Sequence, residues 1–198
     1  MARRALPPAG SYAVRIGEDG GRAALLVDGV VQSISPEDGA VRGGYWAAML
    51  PPVRPRRVLI LGFGGGTIAR LLEARWGPGL EIVGVDDDET VLAAARDAGW
   101  LADGVRLEVG DAFEYLRDCR LQFDYIAVDL YRADQFVGRS LTRPVLKRLA
   151  ALLAPRGWLA VNLFSNRLER RRVERVGQVF TIRRQVPVGG NVVIHAQH

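Results

Sequence analysis

The middle of the chain alternates short apolar runs with amphipathic segments. Between positions 54 and 163 the apolar runs have the length and β-branched content of buried strands, and patterns of helical period separate them. Strands that alternate with helices build a parallel sheet through right-handed crossovers, with helices on both faces. Strands are predicted at Val58–Leu61, Glu81–Val85, Val105–Val109, Phe123–Asp129 and Trp158–Leu163. Helices are predicted at Ile68–Trp76, Glu89–Ala98, Ala112–Arg117 and Pro144–Leu153.

The two ends of the chain follow an antiparallel pattern instead. Turn signals at positions 18–21 and 28–29 divide β-rich runs into a small hairpin unit, and a short helix is predicted over 35–50. A proline-rich segment near residue 53 breaks that helix. Residues 179–196 predict a closing antiparallel hairpin around Gly189 and Gly190. We therefore expect an α/β protein with a hairpin unit over 1–53 and a mostly parallel, twisted sheet over 54–198.

Composition narrows the protein classes that remain. The 198 residues are 48% hydrophobic and 25% charged, which is typical of a globular domain. No apolar run reaches the ~18–20 residues of a membrane span, and no apolar signal segment follows the N-terminal charges. The sequence thus predicts a cytoplasmic protein with no membrane partner. Cys119 is the only cysteine and His195 and His198 are the only histidines, so neither a metal site nor a Ser/His/Asp triad is expected.

The net charge of +5 raises the question of an anionic partner. All 27 basic residues except Lys147 are arginine, and the densest cluster lies at Arg167–Arg175. Glu169 and Glu174 interrupt that cluster, which favours a solvated amphipathic helix over a nucleic-acid surface. A nucleic-acid partner is therefore not favoured. An RNA methyltransferase that uses this helix stays an option and would show steeply salt-dependent RNA binding.

The sharpest motif follows the first buried strand of the middle region. The strand ends at Leu61, a glycine cluster follows, and a helix opens near Thr67. Gly62, Gly64 and Gly66 let the backbone turn tightly and approach a ligand, and the helix amides favour a polar or anionic group. The frame is G-x-G-x-G, which is neither the dinucleotide fingerprint nor a P-loop.

Acidic residues follow the next two strands. Asp86 lies 20 residues beyond Gly66, the separation at which a carboxylate can accept both hydroxyls of a ribose. Asp111 and Ala112 follow the third strand, where an adenine could stack and bond. The alternative for Asp88 and Asp111 is a helix N-cap, because both precede helical runs. Together with the glycine frame, these positions favour a S-adenosylmethionine (SAM) site over an NAD or ATP site.

These motifs resemble those of the spermidine synthase family, whose members share the class I methyltransferase, Rossmann-like fold. The resemblance covers V-D-G-V-V-Q-S, the glycine loop, V-D-D-D-E-T-V, G-D-A-F-E-Y-L, F-D-Y-I-A-V-D-L-Y and L-L-A-P-R-G-W-L-A-V-N-L-F. It implies a donor that is SAM or decarboxylated SAM, without a metal. It also implies that Gln32 approaches the methionine-like part of the donor, that Asp86 binds the ribose, and that Asp111 and Ala112 bind the adenine.

The same resemblance implies roles on the acceptor side. Asp129 follows the fourth strand, where the family has the aspartate that activates the amine. Independently of the resemblance, Tyr45 and Tyr131 are candidates to close the pocket.

The sequence departs from the family at three places. Trp46-Ala47 replaces the family's His-Glu after the gate tyrosine. Gly65 stands where an aspartate pairs with the amine of the donor, and Arg132 stands where a carboxylate holds a diamine.

These departures lead us to expect a methyltransferase that acts on a small-molecule acceptor. One alternative is an aminopropyltransferase, spermidine synthase itself, in which Asp134 or Glu37 replaces the missing carboxylates. Another is a non-catalytic nucleotide-binding or interaction module. The sequence leaves the acceptor and the oligomeric state open, a homodimer included.

Overall fold

The computed structural model of the protein describes residues 13–35, 44–102, 104–132 and 135–198, with the side chain of Arg132 excepted. The first of these ranges folds into a small antiparallel sheet of β1 (Val14–Asp19), β2 (Arg22–Val27) and β3 (Val30–Ile34). Its two turns fall where the sequence predicts them, and Asp28 and Gly29 both adopt positive φ in the second. The predicted hairpin unit therefore contains a third strand.

The rest of the chain builds a larger sheet. Its strands and the short β8–β9 pair are, in chain order, β4 (Arg57–Leu61), β5 (Glu81–Asp86), β6 (Val105–Val109), β7 (Phe123–Val128), β8 (Tyr131–Arg132), β9 (Gln135–Phe136), β10 (Leu153–Phe164), β11 (Thr181–Val188) and β12 (Asn191–Gln197). Within the described residues the large sheet has seven strands in the order β11-β12-β10-β7-β4-β5-β6. The five strands from β10 to β6 in that order are parallel, and the β11–β12 hairpin is antiparallel, as predicted.

Helices cover both faces of this sheet. They are α1 (Thr67–Trp76), α2 (Glu89–Asp97), α3 (Ala112–Asp118), α4 (Arg143–Leu152) and α5 (Glu169–Gly177). One apolar cluster buries α3, α4 and α5 against one face, and a second buries α1 and α2 against the other. The helix predicted over 35–50 is a 3-10 helix where it is described, at Tyr45–Met49, and residues 36–43 lie outside the described ranges.

The strand order places a ligand site at one edge of the sheet. The chain runs from β4 outward to β5 and β6 and then returns to β7 on the other side of β4. Ligands of open α/β sheets bind at the carboxyl ends of the strands beside such a switch. The small sheet lies over this edge, because Leu25 and Val27 of β2 pack against Val91 and Ala95 of α2. None of the helices in the described ranges is long and apolar enough to cross a membrane.

Candidate active site

A cavity of about 310 Å³ opens at the carboxyl ends of β4, β5, β7 and β10. Both sheets and the 3-10 helix contribute to its wall. The residues predicted from sequence that line it are Gln32, Tyr45, Gly62, Gly64, Asp86, Asp129 and Tyr131. The fold thus brings seven predicted site residues from distant parts of the chain around one space.

A smaller cavity of about 50 Å³ adjoins the first. Asp111 and Ala112 line it, and both cavities share Gly62, Asp86 and Tyr131. Two adjoining spaces of different size suit an elongated ligand. Gly66 lines neither space among the residues described: it is the N-cap of α1, with φ at 83°, and its position there is that of a structural turn.

Protein oxygens already accept hydrogen bonds from the amides of the glycine loop. The Gly64 N–H donates to Asp86 Oδ2 at 2.8 Å, and the Gly65 N–H donates to Ser33 Oγ at 2.7 Å. The Gly64 amide thus binds an anionic group of the protein itself, and the Gly65 amide binds a hydroxyl. The expectation that the amides at the start of α1 favour a polar or anionic ligand stays a prediction. A Cβ at Gly65 would lie 2.6 Å from the Ser33 Cβ, so a larger residue there would have to displace β3.

The two acids that follow β5 and β6 differ in what they already bind. Asp86 Oδ1 accepts a hydrogen bond from the Asp88 N–H at 3.1 Å, and Oδ2 accepts the one from the Gly64 N–H. Each oxygen can still accept a further hydrogen bond from a hydroxyl. Desolvation by burial raises the pKa of Asp86 to about 6. Asp111 Oδ1 caps α3 by accepting the amides of Phe113 and Glu114, as the N-cap alternative predicts. Asp88 caps α2 in the same way.

Asp129 directly follows β7 and receives two side-chain hydrogen bonds. Tyr45 Oη donates to Oδ2 at 2.8 Å, and Asn162 Nδ2 donates to Oδ1 at 2.9 Å. Burial raises the pKa of Asp129 to about 6, although both hydrogen bonds act in the opposite direction. Asn191 Nδ2 in turn donates to Asn162 Oδ1 at 2.9 Å. The carboxylate is thus held from both sides at the wall of the cavity.

The two tyrosines predicted to close the pocket are donors. Burial and the nearby Asp129 carboxylate raise the pKa of Tyr45 well above its ordinary value, so its hydroxyl keeps its proton. Tyr131 Oη donates to the Asn162 carbonyl at 3.2 Å, and its ring meets Phe136 and Phe164 edge to face. Through Tyr131, the β8–β9 pair thus contributes to the wall of the cavity.

Sequence reasoning missed three residues of this arrangement. Ser33 and Asn162 are polar side chains inside strands that are otherwise largely apolar, and both are buried. Such a position is a signal, because buried polar groups need partners. Asn191 follows a Gly-Gly turn and carries no comparable signal in the sequence.

The charge of the cavity wall has one sign. Among the described residues that line it, Asp86, Asp87, Asp88 and Asp129 are carboxylates, and none is Arg, Lys or His. A concave site with one sign of charge concentrates ligands of the opposite sign. The wall therefore favours a cation. No group of three or more His, Cys, Asp or Glu that could hold a metal ion occurs in the described part of the chain.

Two curated proteins are similar to this chain in sequence. The chain is 28% identical over 123 residues to a polyamine aminopropyltransferase of Vibrio vulnificus and 30% identical over 118 residues to polyamine aminopropyltransferase 2 of Hyperthermus butylicus. The matches cover 60% and 54% of this chain but 41% and 37% of the relatives, so the chain spans about two fifths of the length of the curated relatives it matches. No known family profile matches the chain.

Solved structures share the whole fold. A probable spermidine synthase from Corynebacterium glutamicum superposes with a TM-score of 0.82 over 100% of this chain and 81% of its own, at 17% identity. The fold of the chain is thus similar to that of a spermidine synthase. A spermidine synthase bound to the transition-state analogue AdoDATO matches at 0.71 and 17% identity, over 98% of this chain and 72% of its own. The SAM-bound fibrillarin of Aeropyrum pernix superposes with a TM-score of 0.61 at 16% identity, over 96% of this chain and 85% of its own. This match agrees with the class I methyltransferase fold.

Two departures from the pattern of the spermidine synthase family lie in described positions. Trp46 and Ala47, which replace the family's His-Glu, belong to the 3-10 helix, and Gly65 lies in the glycine loop. Gly65 packs against Ser33 and offers no carboxylate beside the donor loop. The side chain of Arg132 lies outside the described part of the structure, as do Glu37 and Asp134. The repulsion expected between Arg132 and a diamine therefore stays a prediction.

Proposed function

We propose that this chain transfers an aminopropyl group from decarboxylated SAM to an amine of a small-molecule acceptor. The observation that carries the proposal is the wall of the cavity, which the carboxylates of Asp86, Asp88 and Asp129 line and to which no described Arg, Lys or His contributes. The donor is a sulfonium that ends in an ammonium, and an amine acceptor is also a cation. The curated relatives, both polyamine aminopropyltransferases by name, support the same reaction.

The donor would lie across both cavities. Asp86 would accept the ribose hydroxyls, Asp111 and Ala112 would hold the adenine in the smaller space, and Gln32 would approach the aminopropyl end. The glycine loop supports the decarboxylated form of the donor, because the amides of Gly64 and Gly65 already donate within the protein. These two amides would therefore have no free N–H to donate to the carboxylate of SAM.

Asp129 would act as the base that prepares the acceptor. At pH 7 it is mostly ionised, because its pKa is about 6, and it can take a proton from an ammonium group. The neutral nitrogen then attacks the carbon next to sulfur, the C–N bond forms, and the C–S bond breaks with its electron pair on sulfur. Methylthioadenosine leaves, and Asp129 releases the proton to solvent. Alignment in the closed cavity supplies much of the rate, ~7–11 kcal/mol in favourable cases.

Calorimetry and product analysis test the proposal. We expect decarboxylated SAM to bind more tightly than SAM, and mass spectrometry to detect methylthioadenosine and an aminopropylated amine with putrescine, cadaverine or spermidine as acceptor. Asp129→Asn keeps the shape of the side chain but removes the base, so we expect donor binding to persist while transfer slows by about 10²-fold or more. Absence of transfer to every amine, with intact donor binding, would contradict the reaction.

Methyl transfer from SAM is the second candidate, and Gly65 favours it. An aspartate at this position would select the amine of a decarboxylated donor, whereas a glycine does not repel the carboxylate of SAM. The same two assays separate the candidates, because methyl transfer yields S-adenosylhomocysteine and a methylated acceptor from SAM.

A further inference from the structure

Strand β6 is an edge of the large sheet with an open outer side. It pairs with β5, and no second described strand pairs with it. The Gly110 N–H donates to the Asp86 carbonyl at 2.8 Å, so the backbone groups of Gly110 point toward β5. Because backbone groups alternate along a strand, those of Arg106 and Glu108 point toward β5 and those of Val105, Leu107 and Val109 point outward.

The sequence of this edge is complementary to itself when reversed. The strand reads V-R-L-E-V, with Leu107 at its centre. If a second copy ran antiparallel with the two Leu107 residues opposite each other, Arg106 of each copy would face Glu108 of the other. Val105 would face Val109. Like charges would not meet at any position along the strand.

The outward-pointing backbone groups lie at the positions where this register requires hydrogen bonds between the two copies. In an antiparallel pair, opposite residues alternate between exchanging two hydrogen bonds and exchanging none. With Leu107 opposite Leu107, the outward residues would be the hydrogen-bonded ones. Arg106 and Glu108 would then occupy the pairs without hydrogen bonds, where facing side chains approach most closely.

The side chains that would meet across the axis are accessible. Arg106 Nε lies 3.1 Å from Glu108 Oε1 of its own strand, and the two side chains are 60% and 41% exposed. They line an open groove of about 550 Å³ between β6 and α3. Val109 is 57% exposed beside the same groove. The groove leaves room for the corresponding side chains of a second copy.

The opposite edge of the sheet lacks these features. Strand β11 carries Arg183 and Arg184 and contains Pro187, which has no N–H to donate. Adjacent positive charges and a proline are typical of edges that resist pairing. The two edges of one sheet thus differ in the way expected if β6 alone pairs with another chain.

We propose that two copies of this chain pair along β6, antiparallel, about a two-fold axis at Leu107. The axis is perpendicular to the sheet, so the two sheets continue into one and α3 of each copy lies on the same face. Two Arg106–Glu108 pairs between the copies join the pairs within each copy into a cluster of four alternating charges. The partner is a second copy because the complementarity is of this strand with itself.

Charge reversal tests this interface by sedimentation velocity over a range of protein concentrations. We expect the unmodified chain to dimerise, and Arg106→Glu and Glu108→Arg each to weaken the dimer on the order of tenfold or more, because each variant creates two facing pairs of like charge. The double variant R106E/E108R restores opposite charges at every facing position and should restore the dimer. An equimolar mixture of the two single variants should form a heterodimer.

Arg183→Glu on β11 is the matched control and should leave the dimer unchanged. Circular dichroism and thermal melts establish that each variant is folded. A monomeric unmodified chain at high concentration would overturn the proposal. So would a dimer that tolerates both single reversals, or a double variant that stays as weak as the single ones. Hydrogen exchange provides a second readout, since the outward amides of Val105, Leu107 and Val109 should gain protection as the concentration rises.

Discussion

Tyr45 Oη and Asp129 Oδ2 are 2.8 Å apart, although 84 positions separate the two residues in the chain. This hydrogen bond joins the 3-10 helix at Tyr45–Met49 to the carboxyl end of β7. Asn162 holds the other oxygen of the same carboxylate. The carboxylate that acts as the base of the proposed reaction is thus oriented before any ligand binds, which reduces the cost of alignment.

Removal of the tyrosine hydroxyl should shift the pH dependence of transfer. The hydrogen bond from Tyr45 lowers the pKa of Asp129, so Tyr45→Phe should raise that pKa above its value of about 6. The acidic limb of kcat/KM should move to higher pH by about 1 unit, since a hydrogen bond to a charged group contributes ~1.5–3 kcal/mol. The measurement is a pH profile with donor and acceptor well below saturation. An unchanged limb would mean that Asp129 is not the titrating base.

Asn162→Asp is a test of the same carboxylate from its other side. The substitution keeps the size of the side chain but places a second carboxyl beside Asp129 Oδ1, which now accepts at 2.9 Å. Because two carboxylates at this distance cannot both ionise freely, one of the pair should titrate at higher pH. We expect kcat/KM at pH 7 to fall at least tenfold and to recover as the pH rises. Asn162→Ser, which adds no charge, is the control and should show no such recovery.

Asp86→Ala should weaken the binding of methylthioadenosine by about 10- to 150-fold, through loss of charge-assisted hydrogen bonds to the ribose. Isothermal titration calorimetry measures the change. Asp88→Ala is the matched control: it removes the cap of α2 and should cost ~1 kcal/mol of stability while leaving most of the affinity. If both variants lose affinity equally, Asp86 acts through the loop that it supports and not through the ribose.

Asp129→Asn should make the folded protein more stable above pH 6. The pKa of Asp129 is about 6 in the folded chain and ~3.9 when unfolded, so between these values the folded state binds more protons and stability falls as the pH rises. The amide avoids this penalty, which is at most about 3 kcal/mol and is reduced by water in the cavity. Urea unfolding should show a larger difference at pH 8 than at pH 4.5. A difference that does not depend on pH would contradict the assignment.

The fold was largely predictable because local pattern and tertiary structure agree. The strand predicted at Val105–Val109 is confirmed residue for residue, and the helix predicted at Glu89–Ala98 ends one residue early. Longer-range features were not predictable. The extension of β10 back to Leu153 depends on pairing with β7, which a pattern along one segment does not specify.

The site was predictable where a residue follows a strand and less so where it acts through a partner. Asp86 and Asp129 could be placed from their positions alone, since parallel strands end at one edge. Asn162 could not be assigned to Asp129, because that contact depends on β10 lying beside β7. Gly66 belongs to the same motif, but it is the N-cap of α1 and lines neither of the two described cavities, which its position in the sequence does not reveal.

The hydrogen bonds between β3 and α1 have a consequence for how such a chain can evolve. Ser33 accepts the Gly65 amide, and Thr67 Oγ1 both donates to the Ile34 carbonyl and accepts the Ile34 amide. Both partners in the small sheet lie before residue 53, where a boundary is predicted. A gene fusion that exchanged the first 53 codons would therefore leave buried polar groups of the glycine loop without partners, at about 1–3 kcal/mol each. We therefore expect related chains to keep or exchange the segments on either side of that point together.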